Sequence, residues 1–499
     1  MLAHGLALCG YVNMRHWKTP LQPTGIYPQI GVEGHYAAVM RCMLCLSAGA
    51  VLIAGDAAST PTPTPPAVDQ KIAVVTKLAP GALGVELSAP ILPAWDKPVG
   101  DGFTMCGKRI ATRLDAKKRL EVDSDGKGSF RQVATGAQLA IKLERDVDGK
   151  KRSVTVPVLF THGSDDVWRW RNVGAMLMQI GDEVLVAVDV DGDGQFNSPN
   201  VDGLLWQGQM YAFPLPPADE RWCTAKLDLT GFKMGPWGEN AEVMGRKLTT
   251  TVSDALPVLQ GVNKERVKIG LTPRPENPAS SAAAQKHCHY MALNNQLAHP
   301  EDANKPGYSA EGHASGMRSI LGSGTPADQL GLRMVQTFYH RQDVIRPQTR
   351  GFGVGYDQRY GAIDGRGDLI ATMPVVWPVL CPARDQRGVL THFANESPDP
   401  INGDREAGFP ITAYFGTNKL KLVEGTMTPV GKDGTPGAAV DCYTFDPQQG
   451  GSPNFNSFQK VVGLIAKDPL QSGVIYRVVL KIEVDGKAQT LDWVFQTTR

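Results

Sequence analysis

Paired runs of alternating apolar and polar residues, each pair joined by an Asp-Gly dipeptide, constrain the fold of this chain more than any other feature. One pair covers residues 139–158 around Asp148-Gly149, and another covers residues 478–495 around Asp485-Gly486. Strict alternation indicates strands with one buried face, and Asp-Gly turns match the twist of antiparallel partners. With 54 Gly and 36 Pro among its 499 residues, the chain is also rich in turn formers. We therefore predict extensive antiparallel sheet.

The strand pattern is interrupted in the middle of the chain, which predicts a multidomain protein of the α+β class. Residues 70–255 and 385–499 show short alternating runs, whereas residues 278–380 include segments with helical spacing. At roughly 150 residues per domain, the length agrees with about three domains. We therefore expect an N-terminal β-rich domain, a central domain with helices and a C-terminal β-sandwich.

Three helices are predicted in the central segment. The first covers about residues 282–298 and the second about residues 311–321, because apolar residues recur there at helical spacing. The third begins at Thr325-Pro326, where the threonine can cap free amides and the proline suits the first helical position. Its apolar stripe runs through residues 330–338, which predicts that this helix packs against a core.

The N-terminus has the composition of a targeting segment followed by a linker. Arg41 precedes an apolar run at 42–54 and then several small residues, as in a secretory signal. The run is shorter than the roughly 20 residues that cross a bilayer, and no second apolar stretch of that length follows. The alternative to a signal peptide is a buried apolar helix. We expect translation to start at Met40, so that residues 1–59 comprise a non-native extension and a signal peptide. Residues 60–69 form a Pro-rich linker, and the mature protein is secreted, periplasmic or at the cell surface.

Charge and cysteine content argue against two classes of function. The chain has 51 Lys and Arg against 50 Asp and Glu, a formal net charge of +1, whereas nucleic-acid-binding domains usually carry a basic excess. The cysteines beyond residue 59 are scattered and form no C-x-x-C pair. We therefore predict neither a nucleic-acid partner nor a zinc site built from cysteines.

A set of short motifs in the central segment carries a family resemblance. In chain order they are His289-Tyr290-Met291 with Asn294 and Leu297, His299-x-Glu301, Gly312-His313-Ala314, Phe338-Tyr339-His340-Arg341 and Gly351-Phe-Gly353-Val354-Gly355-Tyr356. Together they resemble the bacterial branch of the CAP superfamily (cysteine-rich secretory proteins, antigen 5 and pathogenesis-related proteins), which contains SCP-like domains. The resemblance covers roughly residues 280–375. It implies an α-β-α sandwich with a central cleft that two histidines and two acids face, and where some members bind zinc.

By this resemblance, His299 and His340 correspond to the two cleft histidines. The first acid of the family normally lies in a Gly-Glu-Asn stretch, and here Glu311 or His313 stands in its place. Glu301 is a further acid close to the first histidine. The second acid has no clear counterpart, so the resemblance implies an incomplete or rearranged set of cleft acids.

The C-terminal segment carries a second, weaker resemblance. Residues 396–412 and 492–495 are similar to the β-domain that is often appended to bacterial CAP domains. This likeness implies that residues 385–499 form a small immunoglobulin-like β-sandwich, with a role in docking or spacing rather than chemistry.

Two functions follow from the resemblance and remain open. The first is a secreted, non-catalytic binding protein whose cleft holds a lipid, a peptide or a cell-wall ligand, and the incomplete acids favour it. The alternative is a metal-dependent hydrolase in which His299 and His340 bind zinc and Glu311 or Glu301 acts as the base. The histidines could instead cap helix ends, because two imidazoles distant in the chain prove no convergence.

A separate acidic loop in the N-terminal segment predicts a calcium site. Its oxygen-bearing residues have the spacing of an EF-hand loop, which suits the six to eight hard oxygens that calcium takes; they are Asp189, Asp191, Asp193, Gln195 and Asn197. Position 12 is Asn200 instead of glutamate, and Asp202 lies two residues further. The preceding segment reads as a strand, so the loop is not a true EF-hand, and a hairpin turn without an ion is the equal alternative.

Overall fold

The structure, a computed structural model, describes residues 68–79, 97–147, 150–162, 167–206, 212–370, 378–401, 403, 406–417, 419–431, 434–447 and 460–499. The predicted signal peptide, the start at Met40, most of the Pro-rich linker and the turn at Asp148-Gly149 lie outside these residues. Within the described ranges, no helix combines the length and the apolar composition needed to cross a bilayer.

The N-terminal segment is built from strands, as predicted. In chain order these are β1 Gln70–Ile72, β2 Val74–Ala79, β3 Lys97–Pro98, β4 Gly102–Met105, β5 Lys108–Leu114, β6 Leu120–Asp123, β7 Phe130–Val133, β8 Gln138–Val147, β9 Lys150–His162, β10 Trp168–Asn172, β11 Ala175–Ile180, β12 Glu183–Val188, β13 Gly203–Trp206, β14 Ala212–Pro214, β15 Trp222–Cys223, β16 Leu227–Lys233 and β17 Glu242–Lys247. They pair in separate sheets, ordered β1-β17-β16-β15, β3-β10-β9-β8, β14-β13-β12-β11-β2 and β4-β5-β6-β7.

Strand alternation explains the long hairpin of β8 and β9. Leu139 lies opposite Val158 and Ile141 lies opposite Val156 in an antiparallel register. Ile141 and Val158 are fully buried, so the apolar side chains share one face of the hairpin, as period-two spacing requires. The predicted hairpin at residues 139–158 is therefore confirmed.

The central segment combines short helices with a small sheet. The elements are α1 Leu256–Lys268, α2 Pro278–Asn294, α3 Ala310–Gly316, β18 Ile320–Ser323, α4 Leu330–Val335, α5 Arg341–Val344, β19 Gly353–Asp357 and β20 Tyr360–Asp364, with 3-10 turns at Ser253–Ala255 and Ala327–Gln329. The sheet has the order β18-β20-β19. Helix α2 lies directly against β19, since a Cβ atom on Gly355 would come within 2.6 Å of the backbone of Ala284.

Local chemistry shifts the helices from their predicted bounds. Helix α2 begins at Pro278 because the side chain of Asn277 accepts a hydrogen bond from the Ser280 backbone, and it ends where Asn295 adopts a left-handed conformation. Pro326 is extended rather than helical, so the third predicted helix begins as a 3-10 turn and continues as α4. The second predicted helix ends at Gly316, because the following residues pair with β20 as a strand.

The C-terminal segment returns to antiparallel sheet. Its strands are β21 Val379–Cys381, β22 Ile411–Tyr414, β23 Leu420–Val430, β24 Cys442–Phe445, β25 Val461–Ala466, β26 Ile475–Val484 and β27 Lys487–Gln496. They form two sheets, ordered β21-β22-β25-β24 and β23-β26-β27. The predicted hairpin at residues 478–495 is the β26–β27 pair, with Val484 opposite Lys487. An immunoglobulin-like topology for this segment stays a prediction.

One hydrophobic core runs from the helices into the C-terminal sheets. Buried residues from Leu259 on α1 to Phe495 on β27 belong to the same packed cluster. Phe338, just before α5, packs against Phe445 on β24 with ring centroids 4.3 Å apart. The helices and the C-terminal strands are therefore held in a fixed relation, which matters for the site below.

A buried arginine reinforces this junction. The side chain of Arg341 is fully buried, and its Nε donates to the backbone oxygen of Thr337 at 2.6 Å. Its Nη1 donates to the backbone oxygens of Pro410 at 2.6 Å and Cys381 at 3.2 Å, and its Nη2 donates to that of Val335. The guanidinium thus satisfies carbonyl groups from the helical segment and from the C-terminal sheet at once.

Candidate functional site

A cavity of about 490 Å³ lies where the helical segment meets the loop that precedes β22. His299 and His340, the two histidines predicted for the cleft, both line it. Leu321 and Met334 provide apolar wall, and Glu396 reaches the cavity from the C-terminal segment. The structure therefore brings the two predicted histidines to one cavity and adds an acid that the sequence motifs did not indicate.

Hydrogen bonding fixes the tautomer of His299. Its Nδ1 lies 2.8 Å from the backbone oxygen of Gly316. Since a carbonyl oxygen only accepts, Nδ1 carries the proton in this contact and the neutral ring keeps a lone pair on Nε2. His299 therefore offers the cavity a hydrogen-bond acceptor, a base or a metal ligand.

His340 is oriented by Glu396. The Nδ1 of His340 lies 3.2 Å from Glu396 Oε2, and the same carboxyl group accepts hydrogen bonds from the backbone N–H groups of Phe338, Tyr339 and His340 at 2.6, 2.9 and 3.0 Å. Burial raises the pKa of Glu396 to about 7, and burial lowers the pKa of His340 to about 4. Both shifts favour the neutral forms, because a buried site penalises charge.

We expect the His340–Glu396 pair to titrate in two widely separated steps. Raising the pH through about 7 removes the carboxyl proton, after which Nδ1–H of His340 donates to the carboxylate and Nε2 is left as an acceptor. The imidazole gains its second proton only near pH 4. Nitrogen-15 NMR of the ring between pH 4 and 9 should show the tautomer change near neutrality. The step should vanish in Glu396→Gln, and an imidazolium signal at pH 6 would contradict this account.

The other predicted acids and His313 are placed elsewhere. Glu301 is buried in contact with His287, with Oε1 2.9 Å from Nδ1, and its Oε2 accepts from the backbone of Ser309 at 2.9 Å. Glu311 lies in the first turn of α3, is 66% exposed and lies 3.5 Å from Lys286. His313 accepts a hydrogen bond from the backbone N–H of Glu301 at 3.1 Å. None of the three lines the cavity. Glu301 is directed toward His287, whereas Glu311 and His313 lie on α3.

Sequence reasoning missed Glu396 because no local signal marks it. It lies in an irregular loop and follows His340 by 56 positions. The two residues meet only when the C-terminal sheet packs on the helices. Glu396 also lies beyond residues 280–375, which carry the family resemblance.

The cavity does not present a preformed set of three metal ligands. Among the residues that the structure describes, the group of Asp189, Asp191 and Asp202 is where at least three ligand atoms of His, Cys, Asp or Glu come within 4.8 Å of one another. His299 and His340 could each supply a nitrogen, but zinc would need further ligands there. Zinc in the cavity stays a prediction.

Carboxyl groups of the acidic loop accept hydrogen bonds from the loop's own backbone. Asp189 accepts from the N–H groups of Gly192 at 2.7 Å and Gly194 at 2.9 Å, and Asp202 accepts from Val190 at 3.0 Å. Burial raises the pKa of Asp189 to about 7 and that of Asp202 to about 8. Lys97 donates to the Asp191 backbone oxygen at 2.7 Å, so a positive charge already lies at the loop.

The structure rearranges the predicted calcium ligands. Asp202 joins Asp189 and Asp191 in the acidic group, whereas Asp193 does not belong to it and accepts from the backbone N–H of Gln195 at 2.7 Å. Gln195 and Asn197 lie outside the group as well. Hard oxygen donors of this kind suit calcium, and calcium binding by this loop stays a prediction.

Comparison with known proteins adds only a weak structural likeness. No family model matches the chain, and no curated protein does either. A solved structure similar to it is an extracellular protein containing an SCP domain from Bacillus anthracis str. Ames, with 11% identity and a TM-score of 0.19. The match covers 42% of this chain and 84% of that one. A TM-score this low does not establish a shared fold.

Proposed function

We propose that this protein is an exported, SCP-like binding protein that holds a lipid, a peptide or a cell-wall fragment in the cavity of His299 and His340 without converting it. The observation that carries the proposal is the cavity itself. Its volume of about 490 Å³ falls within the range of small-molecule sites, and it combines apolar wall with a few convergent polar groups, as such sites do.

The positions of the acids favour binding over catalysis. Glu301 is engaged with His287 and Glu311 is exposed at the start of α3. Glu396 reaches the cavity, but three backbone N–H groups and His340 hold its carboxyl group. A general base must reach the proton that it removes, and Glu396 instead acts as a group that orients His340.

A zinc-dependent hydrolase is the second candidate, and the ring geometry supports it. Nδ1 of His299 contacts a carbonyl oxygen and Nδ1 of His340 contacts a carboxyl group. In zinc enzymes such contacts direct Nε2 toward the metal, and for His340 this requires the carboxylate form of Glu396. This candidate function requires that the purified protein retains a metal ion and that binding of the metal depends on both imidazole rings.

A cavity-filling variant tests the binding proposal. Ser323 lines the cavity, so Ser323→Trp should reduce binding at least about tenfold by occupying the ligand volume. Ser472 is an exposed residue of the C-terminal segment, and Ser472→Trp is the matched control. Equilibrium dialysis with tri-alanine, muramyl dipeptide and decanoate should show at least one probe that binds the wild type and the control but not Ser323→Trp.

The same samples separate the two candidates. The binding proposal expects the bound probe to be recovered unchanged and the zinc content by elemental analysis to be unaffected by His299→Ala. Equal binding by both tryptophan variants would refute the cavity as the site. Stoichiometric zinc that is lost in His299→Ala, together with probe cleavage, would establish the hydrolase instead.

A further inference from the structure

Arg333 adds a positive charge to the lining of the cavity. The residue lies in α4 and its side chain is half-buried. Its Nη2 donates to the backbone oxygen of Asn395 at 3.4 Å, beyond the usual length of such a bond. Across the part of the chain that the structure describes, no carboxylate forms an ion pair with Arg333.

Two other partly buried arginines of this chain are paired with carboxylates. Arg221 meets Asp69 at 2.8 Å, and Arg318 meets Asp364 at 2.5 Å. A cationic guanidinium at the wall of a cavity attracts an anion into the adjoining space. Arg333 therefore makes the cavity receptive to an anion, and a carboxylate matches the planar fork of a guanidinium.

The groups around Arg333 do not supply that anion. Glu396 is the acid that lines the cavity, and its oxygens are held by the backbone N–H groups of residues 338–340. Ser323 and Ser397 also line the cavity, and their hydroxyl groups can donate to the same anion. The polar side of the cavity is thus rich in donors for a carboxylate.

The other residues that line the cavity indicate which chemical groups accompany the carboxylate in the ligand. The Nε2 atom of His299 is an acceptor because its Nδ1 donates to Gly316, so it suits an N–H group of the ligand. Leu297, Leu321 and Met334 give an apolar surface for a small hydrocarbon side chain. A carboxylate, an amide N–H and an apolar side chain occur together at the C-terminal end of a peptide.

We propose that the cavity binds the free C-terminus of a peptide, with Arg333 holding the α-carboxylate and His299 accepting from a peptide N–H. This inference rests on the proposed function and names its ligand class. Free peptides and the stem peptides of a cell wall share this chemistry. A charged hydrogen-bonded pair contributes enough binding energy that removing either charge should weaken binding by about ten- to hundredfold.

The test compares peptide ends. The probes are a pool of N-acetylated random tripeptides with free C-termini, the same pool with amidated C-termini, a cell-wall stem tripeptide with a free C-terminus, and decanoate as a carboxylate without an amide. Equilibrium dialysis with quantification by mass spectrometry is applied to wild type, Arg333→Met and the control Arg359→Met, which alters an exposed arginine outside the cavity. Circular dichroism checks that each variant is folded.

Free C-termini should bind wild type and Arg359→Met at least about tenfold more tightly than amidated ones, and Arg333→Met should abolish that preference. Preference for the stem tripeptide over the pool would identify the cell wall as the source. If amidated peptides bind equally well, or Arg333→Met keeps the preference, the inference is wrong while the cavity remains a ligand site. Decanoate binding as tightly as the peptides would replace the peptide with a fatty acid. If no probe binds the wild type, either here or in the test of Ser323→Trp, the proposed function is overturned too.

Discussion

Replacing Arg341 with alanine is expected to lower the free energy of unfolding by about 3–5 kcal/mol. The guanidinium is fully buried and donates to backbone oxygens on both sides of the junction between the helical segment and the C-terminal sheet. Truncation would leave those oxygens without donors in a site that water does not reach, and it would create a cavity beside Phe409, over whose ring the guanidinium lies.

Urea denaturation followed by tryptophan fluorescence measures this effect. Arg341→Lys should recover only part of the loss, since an ammonium cannot reproduce the fork of contacts. Arg350 is 59% exposed, with Asp368 at 3.8 Å, so Arg350→Ala should leave the denaturation midpoint unchanged. If Arg341→Ala behaved like Arg350→Ala, the junction would not depend on this residue.

Replacing Glu301 with alanine is expected to cost about 3–5 kcal/mol as well. The side chains of Glu301 and His287 are both fully buried and 2.9 Å apart, and the other ring nitrogen of His287 faces the Ala298 backbone oxygen at 3.0 Å. Both ring nitrogens therefore face acceptors, so removal of the carboxyl group leaves Nδ1 of the buried His287 without its hydrogen-bond partner. The backbone N–H of Ser309 loses its acceptor too.

Glu311 provides a matched control for this prediction. The motif spacing predicted a cleft role for either glutamate, but Glu311 is exposed and its carboxylate pairs with Lys286. Glu311→Ala should therefore leave the urea midpoint unchanged, whereas Glu301→Ala shifts it strongly. A Glu301→Ala protein that is as stable as wild type but loses a hydrolytic activity would instead support Glu301 as a base.

The strands were predictable because their signal is local. Alternation over a few residues and an Asp-Gly turn determine which face of β8, β9, β26 and β27 is buried. The antiparallel pairing of these strands in the structure agrees with the two predicted hairpins. Helix bounds were less predictable, because side-chain capping at Asn277 and a strand pairing at Ile320 override helical spacing. Helix α1 was not predicted, although its buried apolar residues belong to the core.

The two histidines of the cavity were indicated by motif spacing, whereas their partners were not. His299 is fixed by a carbonyl oxygen and His340 by Glu396, and both partners depend on tertiary contacts. Glu301 has the expected position in the chain but is directed into the protein, where its carboxyl group contacts His287 and the backbone N–H of Ser309. Spacing along a sequence identifies residue types, and packing decides which of them face a cavity.

The loop at residues 395–397 lines the cavity, so the cavity depends on both the helices and the C-terminal segment. A recombination event that replaced the C-terminal strands would keep both imidazoles but remove the acid that accepts three amide protons from residues 338–340. The two segments therefore cannot be exchanged independently. During synthesis the helices leave the ribosome before the C-terminal segment. A complete cavity therefore forms only after residues 395–397 have emerged and packed against the helices.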